Sequence, residues 1–165
     1  MMKRNAIILL NLVMAISLLC AVPAVYGEEY EGLTGVKTAK VIFDERESNP
    51  KTAVLHLKLI HQTYKDFATM KKNPAFVVVF IGPSVKLISK NREGFSPEDQ
   101  KSLDEIANII SAMSKDGIKT EICLVAASVF NVDPATVLPE IKKVGNGWIS
   151  MIVRQSQGYS LVPVY

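Results

Sequence analysis

The sequence predicts an α/β domain in three layers: a mainly parallel sheet of about five strands with helices on both faces. Three observations predict it. Short apolar runs rich in β-branched residues recur along the chain, the strongest at residues 75–81 (AFVVVFI). Between them lie longer stretches whose apolar residues repeat at steps of three and four. Helix-start chemistry, a capping side chain followed by proline, opens those stretches at Asn49-Pro50, Ser96-Pro97 and Asp133-Pro134.

Residues 1–27 stand apart. Lys3 and Arg4 precede an apolar stretch interrupted only by Asn11, Ser17 and Pro23, and Val25-Tyr26-Gly27 ends it before Glu28. A basic start, an apolar centre and a small-residue end are the parts of a secretory signal peptide, so the mature chain is expected to be periplasmic or otherwise exported. The competing reading is an uncleaved anchor, because the run is near bilayer-spanning length; that is the one route by which this sequence meets a membrane. Leu19 before Cys20 is too large for a lipoprotein signal.

Composition then excludes several classes. The chain is 48% hydrophobic with mean hydropathy +0.20, which excludes a disordered or fibrous protein. Lys and Arg number 19 against 16 Asp and Glu; without Lys3 and Arg4 the balance is 17 − 16 = +1. No basic stripe interleaved with aromatics remains, so no nucleic-acid partner is expected. Of the two cysteines, Cys123 alone lies beyond residue 27, and an intramolecular disulfide is not available to the mature chain.

The elements follow in order. Residues 28–39, with three glutamates and two glycines, read as a flexible lead into a domain spanning residues 40–165. Val41-Ile42-Phe43 is a buried-strand run. Asp44, Glu45 and Glu47 follow in what reads as a polar loop. Ala53, Leu57, Ile60, Tyr64 and Phe67 form one helical stripe after Pro50, broken at Asn73-Pro74. The strand at 75–81 ends at Gly82-Pro83, and a short helix is expected from Ser84 to Ser89. Leu103, Ile106, Ile110 and Met113 line the helix that starts at Ser96-Pro97 and stops at Lys115-Asp116-Gly117. A third strand is expected over residues 118–127, with Cys123 near its end, then a helix at Asp133-Pro134 and a weak strand over 140–144. A helix over 147–157 is expected to turn Trp148, Ile149, Ile152 and Val153 inward, and a last strand covers 159–164.

Few chemical motifs are present. Neither GxGxxG nor GxxxxGK[ST] occurs, and no GxSxG elbow. His56 and His61 lie about 140° apart on a helix and cannot share a metal, so they read as solvent-facing or hydrogen-bonded. Gly145-Asn146-Gly147 reads as a turn that could face an anion. No cofactor and no metal is expected. The carboxyl edge of the sheet, where open α/β folds bind ligands, would gather Asp44, Gly82, Pro83 and Gly147 as a candidate pocket. Cys123 falls on that edge as the candidate reactive residue, and a helix N-terminus at or after Ser128 would favour its thiolate. Read from composition and position alone, a small core residue is the favoured reading, since free cysteine is among the most buried types.

Several of these residues together resemble the DsrE/DsrF-like sulfur-relay family, particularly its small exported members. The matching frame is Gly117-Ile118, then Cys123 six residues after the glycine, then Val137-Leu138-Pro139 after a 13-residue gap. It continues with Lys143-Val144-Gly145-Asn146-Gly147 and Val153-Arg154-Gln155-Ser156-Gln157-Gly158-Tyr159. Val41-Ile42-Phe43-Asp44, Asn49-Pro50 and Phe80-Ile81-Gly82-Pro83 fit in the same order, so the resemblance covers about residues 40–163. It implies a domain that assembles into trimers or hexamers and a cysteine that accepts sulfur as a persulfide and passes it to another thiol. Carried over, Cys123 is the persulfide carrier and its partner is a thiol or persulfide protein; the activity is that of a carrier more than a turnover enzyme. One departure is clear. Exported members carry a small polar run after the cysteine, and here Leu124-Val125-Ala126-Ala127 is apolar, which favours a more buried, less reactive sulfur. The rival reading is a binding or assembly module with Cys123 as packing and Trp148, Phe130 and Tyr159 as surface or core.

Overall fold

A computed structural model describes residues 30–165. The expected signal peptide lies outside the described residues. No described helix is long and apolar enough to cross a membrane. Two units divide at residue 35, and residues 35–165 make up the second. Of the first, the described part holds a 3-10 turn at Glu31–Leu33.

The second unit is a five-stranded sheet, β1 (Thr38–Glu45), β2 (Asn73–Phe80), β3 (Lys119–Cys123), β4 (Lys142–Val144) and β5 (Ser160–Val164). The order is β4-β3-β2-β1-β5 and every pairing is parallel. Helices α1 (Pro50–Thr69), α2 (Pro97–Lys115), α3 (Leu124–Val129) and α4 (Gly147–Ser156) connect the strands.

Local chemistry sets the helix starts. Asn49 caps α1 by accepting from the Lys51 and Thr52 amides, and Ser96 caps α2 through the Asp99 amide. Gly117, at φ +93°, closes α2 in the left-handed region. The expected stripes hold: Leu57, Leu103, Ile106, Ile110 and Met113 are fully buried. The helix expected at Asp133-Pro134 is a 3-10 turn, Pro134–Thr136, and the short helix expected from Ser84 is a 3-10 segment, Gly82–Ile88.

Side-chain alternation divides the sheet into two faces. Phe76 points to α1, where Tyr64 and Phe67 meet it edge-on at 5.4 and 6.0 Å. Val79 points the other way, to α4. Stepping from β1 through β2 and β3 to β4 keeps one direction, so right-handed crossovers place α1, α2 and α3 on one face. The return from β4 to β5 reverses direction and puts α4 alone on the other face.

Three expectations are corrected. The third strand stops at Cys123, and the apolar run 124–129 is helix, not strand. Asp44 and Glu45 are not loop residues; they end β1 and are buried, because the strand continues until its side chains reach the cover of the neighbouring elements. Trp148, Ile149, Ile152 and Val153 do not face inward: they are 59%, 60%, 61% and 48% exposed. The inward side of α4 is Gly147 and Met151.

Candidate functional site

The exits of β3 and β4 lead to helices on opposite faces, α3 and α4. Strand ends whose connections diverge in this way leave a crevice at the carboxyl edge of an open sheet. Cys123 closes β3 there and Val144, its register partner, closes β4.

Cys123 is the N-cap of α3. Its Sγ accepts from the Ala126 amide at 3.5 Å and from the Gly147 amide at 3.1 Å, the latter being the first residue of α4. The sulfur therefore receives N–H groups from the starts of two helices on opposite faces. The helix expected at or after Ser128 begins four residues earlier, at Leu124. Cys123 is 2% exposed, in keeping with the apolar run that follows it.

Glycine at 147 is required by this contact. A Cβ there would lie 2.9 Å from Cys123 Cβ, 3.3 Å from Val79 Cγ1 and 3.4 Å from the sulfur. Asn146 caps α4 by accepting from the Trp148 amide at 2.9 Å. The Val125 amide donates to Gly145 O at 3.2 Å, tying the first turn of α3 to the turn before α4.

One step back along the same face of β3 sits Glu121, 1% exposed. Its carboxylate accepts from the Ser150 hydroxyl on one oxygen and from the Arg154 guanidinium on the other. Arg154 also lies over the Tyr159 ring, 5.7 Å from its centroid. A groove of about 480 Å³ runs beside this cluster between α4 and the edge strand β4; Glu121, Lys142, Val144 and Asn146 line one side, and Ile149 and Val153 form its apolar wall.

Gly147 is the candidate pocket residue that the fold brings to Cys123. Asp44, Gly82 and Pro83 lie outside the groove. Asp44 holds Arg46 at 3.0 Å at the end of β1. Gly82, at φ +66°, and Pro83 start a turn held by Ser84, whose hydroxyl donates to Glu45 O at 2.7 Å. His61 meets Asp116 at 2.6 Å and His56 faces Glu45. Among the described residues no cluster of three or more His, Cys, Asp or Glu could hold a metal ion.

Glu121, Ser150 and Arg154 are absent from the candidates that the sequence suggests. The available signal is an acid inside an apolar strand, Thr120-Glu121-Ile122, with a serine and an arginine four residues apart on α4, the helix after β4. A lone strand acid does not identify its partner, which sits 33 residues away.

A family model described as DsrE/DsrF-like matches residues 40–164. Three solved structures share the fold. A protein of unknown function, MTH1491 from Methanobacterium thermoautotrophicum, is 15% identical over 76% of this chain and 99% of its own, with TM-score 0.61. A conserved protein of unknown function, BT1422 from Bacteroides thetaiotaomicron, is 17% identical over 76% and 94%, with TM-score 0.56. The ychN protein from E. coli is 9% identical over 77% and 100%, with TM-score 0.51. No curated protein matches the chain.

Proposed function

The chain belongs to the DsrE/DsrF-like family, and from that premise we propose that it is an exported sulfur carrier in which Cys123 holds sulfane sulfur as a persulfide. The observation that carries this reading is the pair of amides aimed at the sulfur, from Ala126 and Gly147, at the crevice between β3 and β4. N–H groups at helix starts stabilise negative charge, and the thiolate is the nucleophilic form of cysteine.

The transfer needs no outside oxidant. The Cys123 thiolate attacks the terminal sulfur of a donor persulfide. A new S–S bond forms at Cys123, the donor's S–S bond breaks, and the donor leaves as thiolate with the electron pair. An acceptor thiolate then takes the same terminal sulfur and returns Cys123 as thiolate. At 2% exposure the sulfur is reached when the Gly145-Asn146-Gly147 turn moves off it, and this turn has only one side chain to displace. The partner is a thiol or persulfide protein.

The same reading includes self-assembly. The outward stripe Trp148, Ile149, Ile152 and Val153 contains no charge, as suits a contact between copies of this chain in a trimer or hexamer. Export rests on the leader pattern of residues 1–27.

The test is intact mass after incubation with inorganic polysulfide. The expected result is one added sulfur, about 32 Da, on native protein and none on Cys123→Ser. No adduct, or the same adduct on denatured protein, defeats the carrier reading and leaves an assembly module with Cys123 as packing.

A further inference from the structure

Helix α4 is attached to the sheet in an unusual way. Its wide apolar stripe points to solvent, while its inward side offers only Gly147 and Met151 to the core. Apolar burial would favour rolling the helix so that Trp148 and Ile152 turned under it. Something other than packing therefore fixes its rotation, and the buried carboxylate of Glu121 is that fixture.

The geometry is a two-point attachment. Glu121 and Cys123 project from the same face of β3, two residues or about 6.6 Å apart. Gly147 and Ser150 lie three residues apart on α4, about 4.5 Å of helix rise. Gly147 sits on Cys123 and Ser150 on Glu121, so the helix runs back over the strand. Ser150 and Arg154 are one helical turn apart, and a single carboxylate takes one donor from each. Two donors on one turn held by one buried group define both the roll and the slide of α4. A buried polar contact of this kind specifies geometry more than it adds stability.

We infer that Glu121 is a positioning residue: through Ser150 and Arg154 it holds the Gly147 amide on the Cys123 sulfur. The inference rests on the proposed role of Cys123 as the reacting group. Without the Glu121 contacts α4 rolls, the 3.1 Å contact opens, and the sulfur loses the nearer of its two amide donors. The other charged groups on this face are Lys142 of β4 beside the groove, Lys119 of β3, and Lys40 and the Asp44–Arg46 pair of β1; none of them is among the hydrogen-bond partners of the sulfur.

The experiment is the rate of Cys123 alkylation by iodoacetamide against pH, with the ¹⁵N–¹H resonance of Gly147 as second readout, in wild type, Glu121→Gln and Ser150→Ala. Glu121→Gln keeps an acceptor for Ser150 but not the charge for Arg154. The expected result is alkylation slowed several-fold at a given pH, the loss of the Gly147 donor outweighing the removal of the carboxylate's own charge. A displaced Gly147 amide resonance accompanies it. Ser150 is half-buried and Ser150→Ala removes a single hydroxyl, so this variant folds even where Glu121→Gln does not, and its alkylation slows in the same direction by a smaller amount. A wild-type alkylation rate and an unmoved Gly147 resonance in every folded variant overturn the inference. A wild-type thiol that titrates but takes no sulfur from polysulfide defeats the carrier reading while leaving this positioning role standing.

Discussion

Glu45 Oε2 and His56 Nδ1 face each other at 3.4 Å at the buried end of β1, and neither atom has a hydrogen-bond partner. The other carboxylate oxygen, Oε1, accepts from the Glu47 amide at 2.9 Å. Burial pushes the Glu45 carboxyl above its ordinary value of 4.5, and the Glu47 amide and His56 only partly oppose this. Folding thus favours the protonated acid. The cost of ionising it is absent below the ordinary carboxylate range and grows as pH rises towards the raised value. Glu45→Gln should therefore gain stability relative to wild type as pH increases from about 4 to about 7. Urea midpoints across that range check it. A difference between the two proteins that stays constant with pH contradicts the assignment.

Gly147→Ala tests the packing at the sulfur. The new methyl would stand 2.9 Å from Cys123 Cβ, and β3 is too well paired to give way. The expected loss is about 1–3 kcal/mol in chemical denaturation, the usual range for overpacking. Alanine is otherwise the better helix former, so an unchanged or raised midpoint would mean that α4 and β3 are not in contact there.

Phe76 is the centre of an aromatic group on the opposite face, with Phe43 at 5.2 Å and Tyr64 and Phe67 around it. It is 1% exposed, and β2 on which it stands is the central strand. Phe76→Ala should cost about 3–5 kcal/mol in urea unfolding. Tyr64→Phe removes only the hydroxyl that donates to Asp116 O at 2.6 Å and should cost about 1 kcal/mol, near the mean for one hydrogen bond.

Much of this architecture is legible in the sequence because it is written locally. Asn49-Pro50 and Ser96-Pro97 state where helices begin, and residues 75–81 state a doubly covered strand. What is not legible has three physical sources. Cysteine is not a usual cap, so Cys123 conceals the boundary between β3 and α3, and Ile122 to Ala127 reads as one apolar run. Periodicity shows that α4 has an apolar stripe but not which way the stripe points, because a core and an interface demand the same residues. The carboxylates of Glu45 and Glu121 look solvated until the elements that cover them, 11 and 33 residues away at His56 and Arg154, are in place. The site around the sulfur is non-local in that sense, and only the cysteine and Gly147 could be named beforehand.

The outward stripe of α4 gives the last prediction. Four large apolar side chains lie within about 140° of helix surface, at positions 148, 149, 152 and 153. On a single copy they cost solvation and contribute nothing to the core. Leu161 of β5 is also 40% exposed. If copies of the chain cover this stripe, Trp148→Glu and Ile152→Glu introduce unpaired charge at the contact and should weaken assembly by about 100-fold or more, the effect of removing a central anchor. The fold of each copy should be unchanged, since neither residue packs in its core. Native mass spectrometry or sedimentation at matched concentration reads the state directly. A wild-type chain that sediments as a monomer at about 100 µM, well above the Kd range of stable oligomers, would show that copies of this chain are not what covers α4.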